Sequence, residues 1–210
     1  DAHNNLGVNF FVLGKLEEAE KSYKNSIKIK SDYPLSYYNI ALVQKRLGKL
    51  EEAEGNCKQA IVLQPEFFQA YTTLGNITHE LGRLEDAVNY HQKAIAINNN
   101  FADAHNNLAN IFIDLGRLEE AEKSCRNALS IKPNLSVAFN NLSLILQRLN
   151  RLEEAEIICR QAIEKSPKFI EAYENLGRIL KTSNKLSEAE ECFKKLISLK
   201  PCSKEAYDQL

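Results

Sequence analysis

The sequence predicts an all-α fold, a solenoid of stacked helix-turn-helix units. Three observations carry that expectation. A helix-stopping residue recurs every 34 positions, an alanine recurs at a fixed offset behind it, and the apolar residues in between fall at helical spacing. The recurrence is visible directly: "LGKLEEAEKSYKNSIKI" at 13–29 returns as "LGRLEEAEKSCRNALSI" at 115–131, three periods later.

The stopping residues are Gly14, Gly48, Gly82, Gly116, Asn150 and Asn184, each followed by Lys or Arg and then Leu. The alanines are Ala19, Ala53, Ala87, Ala121, Ala155 and Ala189. Self-similarity at a period of this length marks a repeat array. The copies run approximately 1–33, 34–67, 68–101, 102–135, 136–169 and 170–203. "KEAYDQL" at 204–210 opens a seventh, which reads as a cut in a longer array.

Each period contains two helical stripes. In the fourth copy Leu108, Ala109 and Phe112 make the first, and Gly116 supplies the left-handed C-terminal stop. Leu118, Ala121, Cys125, Ala128 and Leu129 make the second, and Glu119, Glu120 and Glu122 lie near its positive end. Pro133 prevents continuation, as do Pro65, Pro167 and Pro201 at matching offsets. Gly7, Ala41, Gly75, Ala109, Ser143 and Gly177 keep the first helix small, where it is expected to approach the recurring alanine of the second. No single pair buries its apolar face alone, so neighbouring pairs must share one core.

Composition narrows the function classes. With 44% hydrophobic and 26% charged residues the chain reads as well packed and soluble. Its formal net charge of −1, with both signs interspersed, argues against a nucleic-acid partner. No apolar run approaches the roughly 18 residues of a membrane span, which argues against membrane insertion. Five cysteines without a CxxC motif or an even framework fit a reducing, cytoplasmic setting.

A 34-residue helix-turn-helix unit with this small-residue, aromatic, Gly, Ala and Pro pattern resembles the tetratricopeptide repeat, and the resemblance covers nearly the whole chain. It implies a right-handed α-solenoid whose first helices line a concave groove. The aromatic or His residues at the family's first large position are His3, Tyr37, Tyr71, His105, Phe139, Tyr173 and Tyr207. Asn99 departs from the pattern where Pro is usual.

The resemblance implies a binding face opposite the core stripe. In the fourth copy that face carries Asp103, Asn106, Asn107, Asn110, Ile113 and Asp114. Val8, Phe11, Val12, Leu35, Tyr38 and Leu42 make an apolar stretch in the first two copies, read either as a ligand anchor or as packing for a preceding repeat. Asn76, Asn106, Asn107, Asn110, Asn140 and Asn141 follow in the middle copies. Asn5, Asn39, Asn107, Asn141 and Asn175 share one offset. A carboxamide both donates and accepts, so such a row suits the backbone of an extended peptide. The row is similar to the asparagine ladder in the tetratricopeptide arm of O-GlcNAc transferases, and "HNNLAN" at 105–110 most of all. The alternative is that these amides bond only to neighbouring helices. Chaperone-binding family members grip a carboxylate with Lys or Arg, but here the Lys position holds Asn4, Tyr38, Thr72, Asn106, Asn140 and Glu174. None is cationic, which argues against that clamp.

Catalytic chemistry is not legible. His3, His105 and His91 fall on packing positions, and His79 points to the groove without metal-ligand companions. Cys57, Cys125 and Cys159 share one buried offset, and Cys192 and Cys202 straddle a helix end. The glutamate pairs at 17–18, 51–52, 119–120 and 153–154 lie on a solvated face with no pocket. The expectation is therefore a non-enzymatic scaffold, without cofactor or metal, whose groove takes an extended peptide or a partner protein's helix. The alternative is the substrate-recruiting arm of a larger enzyme, such as a glycosyltransferase. End-to-end self-association is a third expectation.

Overall fold

The computed structural model describes residues 2–201. Cys202, Tyr207 and the start of a seventh copy lie outside the described residues. Among the described residues the chain is all-α, with twelve helices and no strand. The chain divides into two compact units, Asp1–Asn100 and Phe101–Leu210. The first unit contains α1 (Ala2–Val12), α2 (Leu16–Ile29), α3 (Pro34–Arg46), α4 (Leu50–Leu63), α5 (Phe68–Glu80) and α6 (Leu84–Ile97). The second contains α7 (Ala102–Asp114), α8 (Leu118–Ile131), α9 (Ser136–Arg148), α10 (Leu152–Lys165), α11 (Ile170–Thr182) and α12 (Leu186–Leu199). Within each unit the helices pack in sequence, odd with the following even, and each even helix against the next odd one.

The turn inside each pair is built by one residue. Gly14, Gly48, Gly82 and Gly116 take φ of 74°, 74°, 75° and 72°, and Asn150 and Asn184 take 59° and 58° in the same role. The residue after each reaches back to close the helix, as in Lys15 N–H to Phe10 O at 2.9 Å and Arg151 N–H to Leu146 O at 2.9 Å. The stopping residue itself bonds three positions back, as in Gly116 N–H to Ile113 O at 3.1 Å. These two bonds satisfy the orphan carbonyls of a helix end, the arrangement known as the Schellman motif. Arg117 adds a contact by laying its guanidinium 4.6 Å from the centroid of the Phe112 ring. The even helices begin on Leu with carboxylates in the first turn, such as Glu17 and Glu18 in α2. No side-chain cap bond forms there, so the field of those carboxylates is the local aid.

The core lies between the two helices of each pair and extends to the next pair. Ala19, Ala53, Ala87, Ala121 and Ala155 are fully buried. In the first unit Ala41, Ala53, Cys57, Leu74 and Ile77 form one cluster that spans α3, α4 and α5. The small residues of the first helices meet more than the recurring alanine: Gly7, Gly75, Ser143 and Gly177 face the side chain sixteen positions later. A Cβ on Gly7 would lie 2.6 Å from Tyr23 Cε1, and one on Gly177 would lie 2.7 Å from Phe193 Cε1. Ser143 Oγ stands 3.1 Å from Cys159 Sγ.

Successive even helices are also joined by charge. Glu20 bonds Lys49 at 2.8 Å, Glu54 bonds Arg83, Glu122 bonds Arg151 at 2.5 Å, and Glu156 bonds Lys185 at 2.8 Å. The same glutamates pair within their own helices with Lys24, Lys58, Arg126 and Arg160. In the third copy this position is Val88, which is buried. Each rung holds its carboxyl below the usual range. For Glu20 burial works the other way, but bonds from Lys24, Lys49 and Gln44 outweigh it and hold the carboxyl at about 2.

Candidate functional site

The candidate site is the face of the odd helices turned away from the core. Adjacent odd helices touch: α1 meets α3 and α3 meets α5 in the first unit, α7 meets α9 and α9 meets α11 in the second. Side chains 35 positions apart are brought together there, because one period plus one residue compensates for the slant between neighbouring helices. Asn39 Nδ2 donates to Asn4 Oδ1 at 3.1 Å, Asn141 Nδ2 to Asn106 Oδ1 at 3.0 Å, and Asn175 Nδ2 to Asn140 Oδ1 at 2.8 Å. Tyr38 and Thr73 hydrogen-bond at the same spacing. Lys45 and Glu80 form an ion pair, and the Arg46 guanidinium lies 4.2 Å from the centroid of the Phe11 ring.

The asparagines are therefore divided among different environments. Asn141 donates a second bond to Asn110 Oδ1 at 2.7 Å, so both of its donors serve α7. Asn175 is 3% exposed and its Oδ1 accepts from Arg178. Asn106 is buried, whereas Asn110, Asn140 and Asn141 are half-buried. Asn76 and Asn107 are half-buried and engaged. Asn5 is exposed at the first copy.

Two of the apolar residues of the first unit pack against the core as well: Phe11 against Ala19, Tyr23, Ile40 and Val43, and Tyr38 against Ala60, Phe67 and Ala70. Phe11, Tyr38 and Leu42 are half-buried, and Val8 and Leu35 are 39% and 36% exposed. Tyr38 packs its ring 4.9 Å from that of Phe67 at 50°. Burial pushes the Tyr38 phenol up, against the lowering effect of the Thr73 bond. Val12 is strongly exposed at 78% and gives no enclosed surface.

The remaining chemistry candidates do not converge. Among the described residues no group of three metal-ligating side chains comes together. Cys57, Cys125 and Cys159 are buried free thiols and Cys192 is half-buried. Burial pushes Cys57 and Cys125 up to about 12 and Cys159 to about 11, far from reactive thiolates. His91 is fully buried, His105 is buried and His79 is half-buried and engaged. The partnerships at spacings of 35 and 29 were the features that reading along one copy did not reveal. The signal is present in the sequence, in Asn4 with Asn39, Asn106 with Asn141, and the glutamates that precede each Lys or Arg rung by 29 residues.

Among the described residues no helix is long and apolar enough to cross a membrane. No curated protein matches the chain in sequence. Among solved structures, pilF of Pseudomonas aeruginosa superposes with a TM-score of 0.83 at 16% identity, covering 99% of this chain and 95% of that one. YrrB, described as a TPR protein with an unusual peptide-binding site, gives 0.71 at 20% identity, covering 89% and 96%. MamA gives 0.72 at 24% identity, covering 78% and 95%. At these identities the likeness is one of fold. Tetratricopeptide repeat models match residues 102–135, 35–67, 170–201 and 136–166, and a TPR repeat model matches 7–48 and 75–113. With nearly its whole length accounted for in this way, the chain belongs to the tetratricopeptide repeat family.

Proposed function

We propose that the chain is a non-enzymatic interaction scaffold, and that the odd-helix face of each unit binds an extended peptide or a helix of a partner protein. The observation that carries this reading is the half-buried apolar group Phe11, Tyr38 and Leu42, lying beside amides already fixed in direction by their neighbours. Phe11 and Tyr38 also lean on the core, against Ala19, Tyr23, Ile40 and Val43 and against Ala60, Phe67 and Ala70 respectively, so it is their solvent-facing edges, with Leu42, that are offered to a ligand. Their rotamers are restrained by Arg46 and Phe67, which lowers the entropy lost on binding.

In the second unit the amides have two proposed roles, one toward the neighbouring helix and one toward a ligand. Asn141 spends its donors on Asn106 and Asn110, while its Oδ1 and the Nδ2 of Asn140 retain capacity for a peptide's N–H and C=O. Such bonds contribute about 0.5–1.5 kcal/mol each, so affinity is the sum of several contacts. This pattern is what supports a likeness to the O-GlcNAc transferase arm, and it bears on the ladder alone. Buried, unreactive thiols fit a cytoplasmic setting.

The test is selection from a random peptide library on the immobilised chain, followed by affinity measurement with Leu42→Asp and with Asn107→Ala/Asn141→Ala. Loss of binding in Leu42→Asp, with the helical content unchanged, supports the groove. Unaltered affinity in both variants sinks it. If the asparagine pair lowers only thermal stability, the ladder is structural and the apolar group alone is the contact.

A further inference from the structure

His91 sits in the middle of α6 with no exposed surface, and neither Nδ1 nor Nε2 has a hydrogen-bond partner. Such a ring is exceptional, because buried polar atoms are nearly always paired. It is wedged against α5: a Cβ on Gly75 would come within 2.6 Å of its Cδ2 and 2.7 Å of its Nε2. The other copies fill the same register with Tyr23, Cys57, Cys125, Cys159 and Phe193, none of which gains charge in mild acid. The third copy alone places a titrating base at the seam of its helix pair.

We propose that the α5–α6 pair is an acid-sensitive latch, held shut by the neutral His91 ring and opened when that ring takes up a proton from solvent. The imidazolium carries two N–H donors and a full charge into a seam that offers neither acceptor nor counter-ion. The ionisable groups facing it are few. Helix α5 carries Tyr71, His79 and Glu80, and α6 itself carries Glu85, Asp86, Tyr90 and Lys93. Of these the charge felt at the ring is that of His79, which as a cation opposes protonation further. Burial first, and His79 second, pull the His91 pKa down from 6.5 to about 4. Sign follows from direction: a histidine with a depressed folded pKa contributes stability above 6.5 that drains away as pH falls toward 4. The proton cannot be shared with a neighbour, so the helices must part to hydrate the ring. Opening frees Thr73 and Asn76 of α5 from their places on the odd-helix face, whatever that face binds.

The experiment is urea unfolding of the whole chain at pH 7.5 and pH 4.5, followed by circular dichroism, with hydrogen exchange read peptide by peptide. His91→Phe keeps a ring opposite Gly75, as Phe193 does opposite Gly177. Should that variant not fold, Gly75→Ala/His91→Cys installs the pairing that Ala41 and Cys57 already use. Carboxylates such as Glu20 and Glu54 are present in every variant and cancel. On acidification the unfolding constant of the wild type is expected to rise on the order of 50-fold more than that of the variant. Protection should fall first in α5 and α6. Parallel pH dependence in wild type and variant, or unchanged protection of that pair, overturns the proposal.

Discussion

Gly75 and His91 are complementary in volume: the glycine leaves the room that the imidazole fills, with a Cβ there only 2.6 Å from the ring. The relationship holds through the chain. Gly7, Gly75 and Gly177 face the rings of Tyr23, His91 and Phe193, whereas Ala41, Ala109 and Ser143 stand in register with Cys57, Cys125 and Cys159. The seam has a fixed volume, and two different partitions of it recur. Close packing explains why they are not mixed.

Adding a methyl group to one side alone should therefore be costly. Gly75→Ala gains about 1 kcal/mol of helix propensity but overpacks the seam by about 1–3 kcal/mol, so the net effect is destabilising. Adding His91→Cys should restore most of the loss. Urea midpoints of the two single variants and the double variant measure the coupling, and additive effects would contradict the pairing.

Glu20 is the most buried member of the charge rungs, with 7% of its side chain exposed against 54% and 41% for Lys24 and Lys49. Its carboxyl is held at about 2, so its contribution is complete above about 4.5 and is lost as pH falls toward 2. Because its partners are solvated, Glu20→Gln should cost about 1–2 kcal/mol at pH 7 and nothing near pH 2. Thermal melts across that range provide the check, with salt reducing the difference.

Asn150 and Asn184 hold φ of 59° and 58° where the other four copies place glycine. Asparagine tolerates this region better than most residues, yet its Cβ still carries strain. Asn150→Gly should raise stability by about 0.5 kcal/mol, since relief of strain exceeds the entropy glycine gains when unfolded. Asn150→Val should lower it by more than 1 kcal/mol by the same argument, on the order of the left-handed penalty for a β-branched residue. Calorimetry of the three proteins decides the order.

The thiols should react in sequence. Among the described thiols Cys192, half-buried in α12, is expected to react first with a disulfide reagent at pH 8, and Cys57, Cys125 and Cys159 only as the helices open. Mapping the modified cysteines by mass spectrometry at increasing urea gives the order. Early labelling of Cys125 would mean that its seam breathes more than its complete burial implies.

By itself the sequence determined the all-α class, the helix pairs and their stops. Gly14 and its five equivalents, the recurring Ala19 series and the apolar spacing are local, and local geometry follows from 3.6-residue periodicity and a left-handed stop. It also projected a face of the odd helices opposite the core stripe, but Asn106 and Asn175, expected on that face, are buried against neighbouring helices. What it did not decide was which amides spend their hydrogen bonds on one another. Asn39 finding Asn4, and Asn141 finding Asn106 and Asn110, depends on the slant and separation of neighbouring helices. Those are set by how the volumes of Gly75 with His91, or Ala41 with Cys57, fill each seam. Tertiary packing alone brings together residues whose partnership is a distance in space, and the chain order records only the period at which such meetings recur.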